Sequence, residues 1–86
     1  MPTYEIVFAQ SARKELQAFS RDIAERILDK VALLASVPRP SSCKKLHGHS
    51  NLWRIRVGEY RVIYSIDDAK RVIDISFIRH RSDAYR

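Results

Sequence analysis

A tight β-hairpin between Trp53 and Ile66 is the feature that most limits how this chain can fold. Two alternating runs, WRIRV and YRVIYSI, flank the dipeptide Gly58-Glu59. Glycine at the first position of a two-residue loop favours a type II′ turn, and such a turn fixes the register of both strands. One face of the hairpin is then apolar, and the other carries three arginines. The predicted pairs are Val57 with Tyr60, Arg56 with Arg61, Ile55 with Val62, Arg54 with Ile63 and Trp53 with Tyr64.

A second hairpin is predicted from Ile66 through residues 67–70 into a strand over 71–78. Pairing Ile66 with Arg71 keeps the apolar side chains of this strand on the apolar face of the first hairpin. That register also sets Tyr64 against Ile73, Val62 against Ile75 and Tyr60 against Phe77.

The N-terminal half predicts one strand and two amphipathic helices. The strand covers residues 4–8, Ser11 and Ser20 are the predicted N-caps, and Asp22 lies in the first turn of the second helix. Apolar residues recur at helical spacing until Val37-Pro38 ends the pattern. We therefore expect an α+β fold in which both helices pack on the apolar face of an antiparallel sheet. The apolar positions are Ala12, Leu16 and Phe19 in the first helix, and Ile23, Ile27, Val31 and Leu34 in the second.

The length and the charge of the chain limit its domain number and its possible partners. Eighty-six residues predict one domain, 1–86, and a chain with 16 Lys+Arg against 10 Asp+Glu has a net charge of +6. Residues 1–43 contribute six basic and five acidic groups, and residues 44–86 contribute ten and five. A cationic half favours a polyanionic partner, although a solvated surface is the simpler alternative. The sequence has no apolar run of membrane-spanning length and no secretory signal, so we expect a cytoplasmic protein without a membrane partner.

Folding alone does not account for the arginine side of the hairpin, because like charges directly opposite each other on paired strands, here Arg56 and Arg61, are destabilising. Three alternatives stay open: the arginines lie along the sheet with their heads in water, they pair with Asp74 or Glu59, or they bind phosphate through bidentate hydrogen bonds. The C-terminal segment favours the third alternative, phosphate binding, because it should leave the last strand near Arg56 and Arg61. It would add four further side chains to this face: Arg79, His80, Arg81 and Tyr85.

Two other kinds of site are rejected. Cys43, His47 and His49 lie in a predicted loop over 38–51, but their spacing matches no common metal site and no fourth ligand is evident, so we expect no metal and no cofactor. Ser82, His80 and Asp83 are too close in sequence to converge as a catalytic triad.

These residues resemble the RelE/ParE superfamily of toxin–antitoxin toxins, on the RelE side. The resemblance rests on KLxG at 45–48, on WRIRVGEYRVIY at 53–64 and on RHRSDAYR at 79–86, and it covers nearly the whole chain. It implies the RelE-like, microbial-ribonuclease-like fold. It further implies an mRNA endonuclease that works in the ribosomal A site, by attack of a ribose 2′-OH on the adjacent phosphate, and that is blocked by a RelB-like antitoxin in a hetero-oligomer.

The resemblance also assigns roles to residues. It implies that Arg61 and Arg79 stabilise charge on the scissile phosphate, and that Tyr85 orients or stacks a base or takes part in proton transfer. Arg54 and Arg56 complete the catalytic set, and Lys44, Lys45 and Arg81 are expected to contact RNA.

The general base is the point on which this sequence departs from some relatives. Those relatives have lysines where Arg54 and Arg56 stand, and arginine does not deprotonate in proteins. His80 is the first candidate for the base and Glu59 the second. A third possibility is that positioning and charge stabilisation supply most of the rate. A ParE-like toxin acting on DNA gyrase and a non-catalytic nucleic-acid-binding module remain as alternative functions.

Overall fold

Five strands and two helices build the fold, an α+β arrangement as predicted. The structure is a computed structural model that describes residues 3–81. The strand order in the sheet is β1-β5-β4-β3-β2. In chain order the elements are β1 (Glu5–Phe8), α1 (Gln10–Ala18), α2 (Arg21–Leu33), β2 (Lys44–Lys45), β3 (Trp53–Val57), β4 (Tyr60–Asp67) and β5 (Val72–His80).

The sheet is mixed. Strand β1 pairs with β5 in parallel, whereas the other three neighbouring pairs are antiparallel. The short strand β2 falls inside the segment predicted as loop, where Lys44 and Lys45 pair with Arg54 and Trp53. The prediction of an antiparallel sheet therefore holds for the central strands, and β1 adds a parallel edge.

The first hairpin has the predicted register at all five positions. Gly58 has a φ of 60°, which is the value that the first central residue of a type II′ turn needs. A side chain at Gly58 would be strained by this φ, and its Cβ would lie 3.3 Å from the Arg26 side chain. The turn therefore depends on glycine at this position.

The predicted register of the second hairpin is wrong. Ile66 pairs with Ile73, not with Arg71, and the ladder shifts again between Ile63 and Tyr64. Tyr64 faces Ile75 but Ile63 faces Phe77, so Ser76 is an extra residue on β5. Beyond it the alternation of faces is reversed: Phe77 and Arg79 turn away from the helices, and Ile78 becomes a buried core residue.

The two helices cover one face of the sheet. Ile27, Val31 and Leu34 of the second predicted stripe are buried, and Ser20 caps α2 by accepting a hydrogen bond from the Ile23 N–H at 3.4 Å. The prediction that Ser11 caps α1 is wrong: Ala9 is the N-cap, and the Ser11 hydroxyl donates to the Ser76 carbonyl at 2.9 Å. Within residues 3–81 neither helix is long and apolar enough to cross a membrane.

Tyr64 fixes the segment after α2 to the core. Its ring is fully buried, and its hydroxyl donates to the carbonyl of Pro38 at 2.8 Å. Burial raises the pKa of Tyr64 far above its ordinary value, so the phenol stays protonated and keeps this bond.

Candidate functional site: the arginine face

The sheet face opposite the helices carries a cluster of cations, which we call the arginine face. Cross-strand partners in a sheet have their side chains on the same side. The register therefore places three arginines of the first hairpin together, and the reversed alternation of β5 adds a fourth. Lys44 joins them as the partner of Arg54 on β2. The arginine face thus consists of Lys44, Arg54, Arg56, Arg61 and Arg79.

Arg61 is the centre of this face. Its direct partners are Arg56 on β3 and Arg79 on β5, and only 6% of the residue is exposed. Its Nη1 donates to the Arg81 carbonyl at 3.4 Å. A buried guanidinium between two others concentrates positive potential, and such a place attracts an anion.

A small cleft of about 100 Å³ opens beside Arg61 at the Gly58 end of the sheet. Arg56, Glu59 and Arg81 also line it. Glu59 is the carboxylate that the described residues contribute to this cleft. The cleft therefore combines three guanidinium-bearing residues with one group able to accept a proton.

Arg79 is held from the side by α1. Glu15 contacts the Arg79 Nε through one carboxylate oxygen, and the other accepts the Ile78 N–H at 2.9 Å. The Arg79 guanidinium carbon lies 5.0 Å from the centre of the Phe77 ring. A carboxylate on one side and an aromatic ring on the other restrict the rotamers of this arginine, which keeps it in place for a ligand.

His80 lies on the other side of the sheet from the arginines. It is the cross-strand partner of Tyr60, and the two rings meet edge to face at 5.3 Å. The Tyr60 ring lies 4.8 Å from the ring of Phe19, the C-cap residue of α1, so this is the helix-covered face. The His80 Nε2 is 3.5 Å from a Glu59 carboxylate oxygen. The structure therefore does not bring His80 into the cluster in which sequence reasoning placed it.

Arg81 and Lys45, the other predicted RNA contacts, lie on opposite sides of the sheet. Arg81 lines the cleft with Arg56. The Lys45 ammonium lies 5.8 Å from the ring of its cross-strand partner Trp53, on the sheet face away from Arg54. Tyr85 lies outside the described residues. Within residues 3–81, no three His, Cys, Asp or Glu side chains are grouped so as to hold a metal ion.

Two residues of the site were missed by sequence reasoning, Glu15 and Phe77. Asp74 and Glu59 were the carboxylates expected near the arginines, but Glu15 is the one that contacts Arg79. It belongs to a helix 64 positions earlier, and no local pattern indicates that contact. Phe77 was assigned to the core because strict alternation from Ile75 places it there. The extra residue Ser76 has no signature in the sequence.

Comparison with known proteins decides the family. The sequence model described as "ParE toxin of type II toxin-antitoxin system, parDE" matches residues 6–85. The chain belongs to the RelE/ParE superfamily. It is thus a toxin of a type II toxin–antitoxin system, as the sequence resemblance implied.

Named relatives place this superfamily member with RelE toxins. Toxin RelE of Mycobacterium tuberculosis is 30% identical over 84 residues, which cover 96% of this chain and 87% of that protein. The archaeal RelE–RelB complex from Pyrococcus horikoshii OT3 contains a chain with a TM-score of 0.81 and 32% identity, covering 92% of this chain and 96% of that one. The toxin–antitoxin complex RelBE2 from Mycobacterium tuberculosis contains a chain with a TM-score of 0.82 and 26% identity, covering 92% of this chain and 99% of that one. The RelE-like fold is therefore established for this toxin.

Proposed function

We propose that this toxin is an endoribonuclease that cleaves mRNA in the ribosomal A site and so inhibits translation. The observation that carries the proposal is the convergence of Arg54, Arg56, Arg61 and Arg79 on the sheet face that the helices leave uncovered. Guanidinium groups bind phosphate through two parallel hydrogen bonds, and neighbouring ones can grip successive phosphates of an RNA strand. A fold alone needs no such cluster, since opposed like charges destabilise a sheet.

The proposed reaction is an internal displacement. The ribose 2′-oxygen attacks the adjacent phosphorus, the bond from phosphorus to the 5′-oxygen breaks, and a cyclic phosphate and a free 5′-hydroxyl result. The proton leaves the 2′-oxygen, and the departing 5′-oxygen gains one. Negative charge grows on the phosphate oxygens in the transition state, so Arg61 and Arg79 stabilise it more than the ground state. Arg54, Arg56 and Lys44 hold the flanking phosphates.

Glu59 is the better candidate for the proton acceptor. It lines the cleft with Arg56 and Arg61, whereas His80 does not line it and only reaches the Glu59 carboxylate from outside, at 3.5 Å. A general base must come within hydrogen-bond reach of the proton it removes, directly or through one water. Positioning and charge stabilisation by the arginines then supply the larger part of the rate.

The proposed protein partner is a RelB-like antitoxin. Relatives that share this fold were solved as RelE–RelB complexes, which supports a hetero-oligomer of the same kind here. An acidic antitoxin segment complements a chain of net charge +6. Because the proposed target is mRNA on the translating ribosome, the proposed location of the toxin is the cytoplasm.

The test is induction of the wild type and the Arg61→Ala and Arg79→Ala variants in a bacterial host, followed by mapping of mRNA 5′ ends against reading frame. Arg21→Ala is the matched control, because that side chain is 91% exposed on α2 and remote from the arginine face. We expect in-frame cuts in translated messages with the wild type and the control. Circular dichroism of the two site variants checks that they fold, and both should lose the cuts.

The family model is named for ParE, and this favours inhibition of DNA gyrase as the second candidate function. Gyrase-dependent DNA damage with intact mRNA would support that candidate and contradict the nuclease. Normal growth on induction of the wild type, together with RNA binding by the purified protein, would instead indicate a non-catalytic nucleic-acid-binding module.

A further inference from the structure

Phe77 is an aromatic residue on a face that is otherwise cationic. The extra residue Ser76 turns it away from the helices, and it pairs with Ile63 on β4. It remains 37% exposed, next to the Arg79 guanidinium 5.0 Å from its ring centre. Strand β1 ends at the level of Ile75, so no strand flanks Phe77 on that side within residues 3–81. An exposed aromatic ring beside a guanidinium thus interrupts the cluster of charges.

A ring in this place has a specific use in binding single-stranded RNA. Such sites combine cations that contact the phosphates with aromatic side chains on which unstacked bases lie. Phe77 and Arg79 are two residues apart on one strand, a separation of about 7 Å, so one nucleotide can reach both side chains. A ring that served only to cover Ile63 would be replaceable by any apolar side chain of similar size.

We propose that Phe77 is a stacking surface for a nucleobase, with Arg79 binding a phosphate of the same or the adjacent nucleotide. This proposal rests on the proposed function, because it takes the arginine face as the RNA-binding surface. It adds a base-binding subsite to a face otherwise equipped for phosphates. Arg79 then has two tasks: it binds the phosphate, and it holds the ring in place from one side.

The experiment measures stacking separately from cleavage. The probe is an eight-nucleotide RNA with 2-aminopurine in its centre and 2′-O-methyl groups throughout, which removes the attacking hydroxyl. Stacking of 2-aminopurine on an aromatic ring quenches its fluorescence, and anisotropy of an end label reports binding. Wild type, Phe77→Leu and Phe77→Trp are titrated at low salt. Val7→Ala is the control, since Val7 is 36% exposed on the same sheet face but belongs to β1.

We expect quenching with the wild type, with Phe77→Trp and with the control. Phe77→Leu should abolish the quenching and weaken binding by about 5- to 150-fold, the range that one base–aromatic stack contributes. Three results would overturn the proposal: no binding by the wild type, binding without quenching, or unchanged quenching and affinity in Phe77→Leu. The probe cannot be cleaved, so this titration is independent of the mapping of mRNA 5′ ends. Quenching without in-frame mRNA cuts would contradict only the proposed nuclease activity, and in-frame cuts without quenching would contradict only the proposed stacking surface.

Discussion

Arg56 and Arg61 face each other directly across β3 and β4, with like charges opposed on one sheet face. Arg56 is exposed to solvent, whereas Arg61 is nearly buried and has Arg79 as its other neighbour. Opposed like charges lower the stability of a strand pair by a few tenths to about 1 kcal/mol. The fold therefore carries a repulsion that a bound polyanion would relieve.

Replacing the exposed member of this pair should stabilise the free protein. We expect Arg56→Gln to raise the free energy of unfolding by about 0.2–1 kcal/mol in low salt, because it removes one opposed charge. The gain should disappear in 1 M salt, where the screening length is only about 3 Å. Urea denaturation at the two salt concentrations measures both values. Arg56→Lys keeps the charge and should show no gain; an equal gain in this variant would contradict the electrostatic explanation.

Glu15 should act on RNA cleavage through Arg79. We expect Glu15→Gln to lower single-turnover cleavage about tenfold, because the amide still accepts the Ile78 N–H but no longer pairs with the guanidinium that it positions. Glu25→Gln on the exposed side of α2 is the control. A positioning role predicts that the pH dependence of cleavage keeps its shape in the variant. A changed profile would instead indicate that Glu15 itself moves a proton.

The first hairpin and the helices were predictable because local rules determine them. Gly58 selects the turn, the turn sets the register, and strict alternation assigns the two faces; Ser20 and the apolar stripe likewise define α2. The parallel docking of β1 on β5 could not be predicted, because it depends on how separate elements pack and not on any neighbouring residues.

The error in β5 explains what was missed at the site. Alternation has a period of two residues, so the one extra residue, Ser76, transfers every later side chain to the opposite face. Strict alternation would have put His80 with the arginines and Arg79 under the helices. The structure has the reverse, and it brings Phe77 to the arginine face as well.

An exposed ion pair at the far end of the sheet should affect acid stability. Two hydrogen bonds from the Arg39 guanidinium, and one from the Tyr4 hydroxyl at 2.6 Å, lower the pKa of Asp68. The pKa of Asp68 in the folded protein therefore lies below its value of about 4 in the unfolded chain. The stabilisation that these hydrogen bonds give to the folded state is complete above about pH 4, and it is lost as the pH falls through the folded-state pKa. We expect Asp68→Asn to be less stable than the wild type at pH 7, and the difference to shrink steadily below about pH 4. Urea denaturation across this range is the measurement, and a difference that stays constant from pH 7 down to about pH 3 would contradict the explanation.

The two remaining candidates for the base can be separated by paired variants. Glu59 lines the cleft beside Arg61, and His80 lies outside the cleft with its Nε2 3.5 Å from a Glu59 carboxylate oxygen. We expect Glu59→Gln to lower single-turnover cleavage on programmed ribosomes about 10²-fold, the low end of what general-base catalysis contributes, and to flatten the acid limb of the pH–rate profile. His80→Gln should stay within about threefold of the wild type and keep that limb, because the imidazole lies outside the cleft and a glutamine amide can still donate a hydrogen bond to Glu59. A 10²-fold loss in His80→Gln with Glu59→Gln unaffected would reverse the assignment. Full rates in both variants would leave the arginines to supply the catalysis by positioning and charge alone.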